Sequence, residues 1–320
     1  MKQLLNDIGF CDCEIDTYRN LFIILDLKIQ TEYKHMKTKI GWIGLGRMGI
    51  PMSKRLVEDG GYHLTVYNRT KGKEDAFSSL PVDVTFSPAQ LIRQTDVVVV
   101  MVSDDKAIRD IFTGTNGLLS AGVSTKIIIN MSTVSPEISK EMAALCIELG
   151  NHYMDAPVSG SVKQAETGTL VVMAGGEEDI FLQVKPILDH LSKLTIHVGS
   201  HGAGNSAKLA VNTLLGIMSQ GLAEVVLFAQ DNGIKTEDLL DIVSNSAMGN
   251  VYMKIKGDAI LHNNFQAAFA LKHIAKDLRL AKQSGLKSPL GETIFKTFQE
   301  AEKEFGEEDI IAVIKKLEKN

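Results

Sequence analysis

The stretch Lys39-Ile40-Gly41-Trp42-Ile43-Gly44-Leu45-Gly46-Arg47-Met48-Gly49 decides the fold of this 320-residue chain. A short β-rich run enters a GxGxxG pattern and a helical pattern over 51–57 leaves it, the context in which such a loop cradles a pyrophosphate. Gly44 serves the tight turn, Gly46 leaves room for a phosphate to approach the backbone, and Gly49 lets the helix pack close to the strand. Leu45, Arg47 and Met48 complete a loop whose N–H groups, at a helix N-terminus, favour an anion.

Outward from this loop, strands are expected at 40–43, 63–67, 96–102 and 126–131, alternating with helical segments as far as about His197. The run 97–102 is apolar throughout, as a strand buried on both faces should be. Beyond Gly204 strand signals stop, and helical patterns are broken at 231–233, 249–250 and 284–285. The expected architecture is α/β: a Rossmann-type doubly wound sheet over 36–200, then an all-α domain over 201–320. A long helix from Asn205 to about Ala229 joins them. Residues 1–35 read as an extension, with the fold beginning near Met36.

The end of the second strand sets cofactor selectivity. An acidic residue there would bind the ribose 2′-hydroxyl of NAD, but this chain has Val66-Tyr67-Asn68-Arg69-Thr70. The Arg69 fork and Thr70 hydroxyl, flanked by Lys71 and Lys73, suit a 2′-phosphate, so NADP is expected.

A net charge of −5 offers no electrostatic reason for a nucleic-acid or membrane partner. Cys11, Cys13 and Cys146 provide neither a disulfide framework nor a zinc site, so no metal is expected and a reducing cytoplasm is the simplest location.

The stretch 202–216, Gly-Ala-Gly-Asn-Ser-Ala-Lys-Leu-Ala-Val-Asn-Thr-Leu-Leu-Gly, places Lys208 on a helix that is apolar on nearly every side. Asn205, Lys208, Asn212 and Ser219 share one helical stripe with Gly216. On this pattern alone two readings stay open. Lys208 snorkels to solvent, or it faces a cavity.

The motifs Gly-Leu-Gly-Arg-Met-Gly at 44–49, Asn-Arg-Thr at 68–70, Asn-Met-Ser-Thr-Val at 130–134, Asp-Ala-Pro-Val-Ser-Gly-Ser at 155–161, Gly-Asn-Ser-Ala-Lys-Leu-Ala-Val-Asn at 204–212 and Lys-Asp-Leu-Arg-Leu-Ala at 276–281 occur in one order. In these the sequence resembles the β-hydroxyacid dehydrogenase family, most of all its glyoxylate/succinic semialdehyde reductases. The resemblance implies reduction of a small aldehyde acid by a nicotinamide cofactor, or the reverse oxidation of a hydroxy acid. It implies that Lys208 is catalytic, that Thr133 and Lys276 contact the cofactor, and that Ser159, Gly160 and Ser161 hold the substrate carboxylate. It also implies a homodimer or homotetramer, in keeping with an apolar helix over 214–228.

The residues themselves are compatible with that chemistry. A hydride reaching a carbonyl carbon leaves charge on oxygen, and Lys208 is suited to polarise that oxygen and deliver the proton. Asn212, one turn on, is placed to orient the ammonium or bond the substrate. Val102 ends an apolar strand and Ser103 follows it into the loop near the cofactor, where Asp104 is a helix cap or a second contact. Phe269, Lys272, His273 and Lys276 share a later helical face, and Asp277 reads as an anchor for a lysine or a helix end, not as a base. Pocket size is expected to depend on Met248, Tyr252 and Phe269. The alternatives are a 3-hydroxyisobutyrate-type dehydrogenase working oxidatively and a catalytically silent NADP-binding scaffold. The presence of Lys208 weighs against the scaffold.

Overall fold

A computed structural model describes residues 38–319. The extension read at 1–35, the start near Met36, Cys11 and Cys13 lie outside the described residues. β1 (Lys39–Ile43), β2 (His63–Tyr67), β3 (Val82–Val84), β4 (Val97–Val100), β5 (Ile127–Asn130) and β6 (His152–Asp155) pair in parallel in the order β3-β2-β1-β4-β5-β6. The order reverses between β1 and β4, and that switch point is where doubly wound sheets open a crevice for ligands. Alternation along the strands feeds two cores: Ile40, Trp42, Val97 and Val99 pack on one face, Ile43, Val98 and Val100 on the other. Both faces are covered, which is why β4 contains nothing but valine.

Around the sheet lie α1 (Gly49–Glu58), α2 (Pro88–Gln94), α3 (Asp105–Thr113) and α4 (Pro136–Glu148). Past β6 the pairing changes. β7 (Val158–Ser159) and β8 (Leu170–Gly175) run antiparallel, bracketing α5 (Val162–Thr167). Then α6 (Glu178–Asp189) returns the chain to β9 (Ser192–Gly199), parallel to β8. The motif at 155–161 thus contains a two-residue strand, after which Gly160 and Ser161 turn out of the sheet.

The spine helix α7 spans Ala203–Asp231. Behind it come α8 (Thr236–Ser244), α9 (Val251–Leu261), α10 (Leu271–Gln283), α11 (Pro289–Phe305) and α12 (Val313–Leu317). Leu222, Ala223 and Val226 of α7 share a core with Ile274 and Leu278 of α10, Ile294 and Phe298 of α11 and Val313 of α12. A buried carboxylate starts the spine: Asp155, at the end of β6, accepts from Gly202 N–H at 2.7 Å and Asn205 N–H at 2.8 Å. Those are donors that a helix N-terminus leaves unpaired. The positive φ of Gly202, 86°, makes the turn into α7. Length and apolarity alone would let α7 cross a membrane, but one of its faces is the wall of the helical core.

Candidate active site

The glycine loop joins β1 to α1 under geometric constraints that differ at each glycine. Gly44 has φ 102°, and a Cβ there would sit 2.0 Å from the Met101 carbonyl oxygen. At Gly49 a Cβ would lie 1.9 Å from the Gly44 oxygen. At Gly46 nothing lies within 4 Å, so its missing side chain leaves open space instead of relieving a clash. The N–H groups of Gly46, Arg47, Met48 and Gly49 hydrogen-bond to no described residue. An open approach and a cluster of unpaired donors at a helix start fit a pyrophosphate. Trp42 buttresses the loop from beneath, its indole N–H donating to Gly44 O at 3.1 Å.

Asn68 is structural as well as adjacent. Its Oδ1 accepts from Leu45 N–H at 2.9 Å and its amide donates to Thr70 O at 2.7 Å, which ties the end of β2 to the glycine loop. Arg69, Thr70, Lys71 and Lys73 stay exposed beside it.

Across the switch point, Val102 N–H donates to Ser132 Oγ at 2.9 Å, drawing the loop after β4 onto the loop after β5. Asp104 is the N-cap of α3, accepting from Ala107 N–H at 2.8 Å, which settles it as a cap. Lys276 of α10 reaches both loops, donating to Thr133 O at 2.6 Å and Ser103 O at 3.1 Å. One ammonium therefore ties the helical half to the C-terminal edge of the sheet.

The polar stripe of α7 meets a different partner at each level. Asn205 accepts from Val134 N–H at 3.0 Å and donates to Ser139 Oγ at 3.0 Å, so it fastens the spine to the loop after β5. Asn212 donates to Asp277 Oδ2 at 2.6 Å; its amide orients Asp277 and makes no bond to Lys208. Gly216 admits Ile294 and Leu278, and Ser219 bonds the Tyr252 hydroxyl. Lys208 alone is left over. Only 8 % exposed, it makes no hydrogen bond or ion pair with any described residue. Snorkelling is excluded by that burial. Burial pulls its ammonium from 10.5 down to about 8, against the pull of the Asp277 carboxylate, with Lys276 adding a smaller push downward. Asp277 Oδ1, 3.2 Å from Lys276 Nζ, has no hydrogen-bond partner either. An ammonium without a protein partner and a buried carboxylate oxygen met only by the Lys276 ion pair, on facing helices, mark a place for a polar ligand.

The remaining expected residues are less tightly gathered. Ser159 and Gly160 lie at the β7–α5 corner, where Gly160 has φ 138° and a Cβ would strike Leu170 at 2.7 Å. Ser161 spends its N–H on Gln164 Oε1 at 2.9 Å as part of a capping box, which leaves Ser159 and the Gly160 backbone as the freer groups. Phe269 precedes α10, half-buried, its ring 6.0 Å from His273. Met248 is 65 % exposed, and the Tyr252 hydroxyl bonds Ser219 on the spine helix. Sequence reasoning gave Asp155 and Asp309 no role. Asp155 stood within a quoted motif, whereas Asp309 has no local pattern because its partners are distant in sequence.

A family model described as the NAD binding domain of 6-phosphogluconate dehydrogenase matches residues 39–199, half of the chain. A second, described as the NAD-binding of NADP-dependent 3-hydroxyisobutyrate dehydrogenase, matches 202–317. Glyoxylate/succinic semialdehyde reductase 1 of Arabidopsis thaliana is 34 % identical over 281 residues, covering 86 % of this chain and 97 % of that protein. The chain belongs to the β-hydroxyacid dehydrogenase family. Among solved structures, Mycobacterium tuberculosis 3-hydroxyisobutyrate dehydrogenase with L-serine superposes with a TM-score of 0.80 at 29 % identity, over 88 % of this chain and 99 % of that one. Psf3 in complex with NADP+ and 2-OPP gives 0.78 at 25 % identity, over 87 % and 99 %. As a β-hydroxyacid dehydrogenase, the protein is a nicotinamide-dependent oxidoreductase acting on CH–OH groups.

Proposed function

We propose that this enzyme uses NADPH to reduce a short-chain aldehyde acid, such as glyoxylate or succinic semialdehyde, with Lys208 as proton donor. The observation that carries the reading is the buried, unpartnered ammonium of Lys208, its pKa drawn down to about 8. Bound NADPH supplies the hydride. Lys208 bonds the carbonyl oxygen, its charge worth more as that oxygen becomes anionic, and a pKa near ambient pH lets it release the proton without a large penalty. Asn212, one turn along the same helix, and Asp277 form the polar wall beside it, while Lys276 keeps the helical half docked on the loops at Ser103 and Thr133. Ser159 and the Gly160 N–H take the substrate carboxylate. Arg69 and Thr70 take the 2′-phosphate, with no carboxylate at 68–70 to repel it.

A second reading, 3-hydroxyisobutyrate-type oxidation in the same site, is favoured by the likeness to the mycobacterial dehydrogenase. A silent scaffold leaves the burial of Lys208 without a purpose. We also assign the uncovered stripe of α7, Val211, Leu214, Val225 and Phe228, to contact with a second copy of the chain. The stripe extends to both sides of the helix centre, so the same patch on two copies can meet about a two-fold axis.

Initial rates with glyoxylate, succinic semialdehyde, tartronate semialdehyde and methylmalonate semialdehyde, each with NADPH and NADH, test the reading. Lys208→Ala is expected to lose at least about a hundredfold in kcat while still binding dinucleotide. Near-normal turnover in that variant removes the mechanism.

A further inference from the structure

Away from Lys208 the helical half contains a second buried lysine with the opposite circumstances. Lys256 of α9 and Asp309 meet at 2.6 Å with side chains 8 % and 3 % exposed. The Asp309 carboxylate is fully committed. Oδ1 accepts from Lys256 and from Ile311 N–H at 3.2 Å, and Oδ2 accepts from Ala268 N–H at 3.1 Å and Phe269 N–H at 3.3 Å. A buried pair of this kind is weak support for stability, because apolar side chains of similar volume do as well; its better-attested use is to fix one arrangement among several.

The arrangement fixed here is that of residues 265–270, which lie outside helices and strands apart from one bridge between Ala270 and Asp309. Their backbone is held by the crossing segment 308–311: Asp309 N–H donates to Phe265 O, Ile310 N–H to Phe269 O, and Leu271 N–H to Glu308 O, each within 2.9 Å. This segment carries Phe269, leads directly into the helix of Lys276 and Asp277, and offers Ala267 O to the Arg47 guanidinium at 3.4 Å across the cleft. From the other side, Lys256 stands one turn after Tyr252, whose hydroxyl bonds Ser219 on the stripe that also bears Lys208 and Asn212. A chain of contacts thus runs from the spine helix through the Tyr252 hydroxyl, the Lys256 ammonium 5.8 Å from the Tyr252 ring centroid, and Asp309 to the backbone of Phe269.

We infer that Lys256 and Asp309 are positioning residues that hold the 265–270 segment against the cleft, setting the wall that the substrate meets at Phe269. The inference rests on the site proposed above, but its readout does not depend on which aldehyde acid is turned over or on Lys208. Lys256→Met keeps the volume and removes the charge; Lys256→Arg keeps the charge.

The test is steady-state kinetics with NADPH and whichever aldehyde acid the wild-type enzyme reduces best. Alongside, dinucleotide affinity is read from quenching of Trp42, the single tryptophan, beneath the glycine loop. Lys256→Met is expected to raise KM for the aldehyde acid about tenfold, the size of one misplaced wall contact. Its kcat stays within about threefold and its dinucleotide affinity within about twofold, and Lys256→Arg recovers most of the loss. A purely structural role would shrink the active fraction, lowering kcat with KM unchanged; that result, or an unaltered KM, overturns the inference. Should Lys256→Met fail to fold, Tyr252→Phe removes only the hydroxyl link of that chain of contacts. A rise of about twofold in KM at constant kcat is expected there, and no rise overturns the inference.

Discussion

Replacing Lys208 with methionine should make the protein more stable while disabling it. In the folded chain the ammonium titrates at about 8 because it is buried among groups that cannot solvate it, against an ordinary value of 10.5. That difference corresponds to roughly 3 kcal/mol lost to keeping the charge inside, at any pH below 8. The folded protein holds this proton less tightly than the unfolded chain does. Between about 8 and 10.5 the unfolded state therefore binds more protons, and stability rises with pH across that window. Methionine fills the space without a charge and escapes the cost. Lys208→Met should melt roughly 6 °C higher than wild type at pH 7, taking about 2 °C per kcal/mol for a chain of this size. The gap should narrow to about 1.4 kcal/mol by pH 9.5, where most of the folded ammonium is already neutral. Thermal and urea denaturation of both proteins at pH 7 and 9.5, without dinucleotide, measure it. A variant no more stable than wild type at pH 7, or a gap indifferent to pH, would refute the claim that Lys208 is held at a cost for chemistry.

Other outcomes follow from the same geometry. Asp277→Asn removes the charge that holds the Lys208 pKa up, so the alkaline fall in the reduction rate should begin at lower pH; an unchanged profile denies the coupling. Arg69→Asp should reduce the NADPH-to-NADH preference at least about tenfold, since a carboxylate repels the 2′-phosphate and accepts from a 2′-hydroxyl. Gly46→Ala should weaken dinucleotide binding with little change in melting temperature, whereas Gly49→Ala, which collides with the Gly44 oxygen at 1.9 Å, should lower the melting temperature itself. Leu214→Glu should leave a folded monomer in sedimentation experiments if α7 meets a second copy; an unaltered oligomer moves the interface elsewhere.

The loop 44–49, the all-apolar β4 and the stripe along 205–219 were legible from residue order because each is a local pattern. A turn needs glycine at set offsets, a strand buried on both faces admits no polar residue, and a helix shows its faces every three or four positions. Their spans in the structure agree with the reading to within a few residues, and the patterned run 205–229 lies within Ala203–Asp231. What the stripe faces was beyond any local pattern. Asn212 was read as orienting the ammonium or bonding the substrate, and its amide bonds Asp277, 65 residues away; the capping of α7 by Asp155 spans about 50 residues. Met248 was read as pocket lining and is exposed, because nothing in a helical period says which apolar side chain the neighbouring elements leave uncovered.

Residue order by itself determined that a dinucleotide cradle precedes a helical half and that an ammonium sits on an apolar spine. Only the tertiary structure decided that this ammonium is unpaired while Lys256, equally buried, is neutralised by Asp309. The physical reason is that a charge taken out of water is governed by what stands within a few ångströms of it, and those neighbours are brought together by the fold from distant parts of the chain.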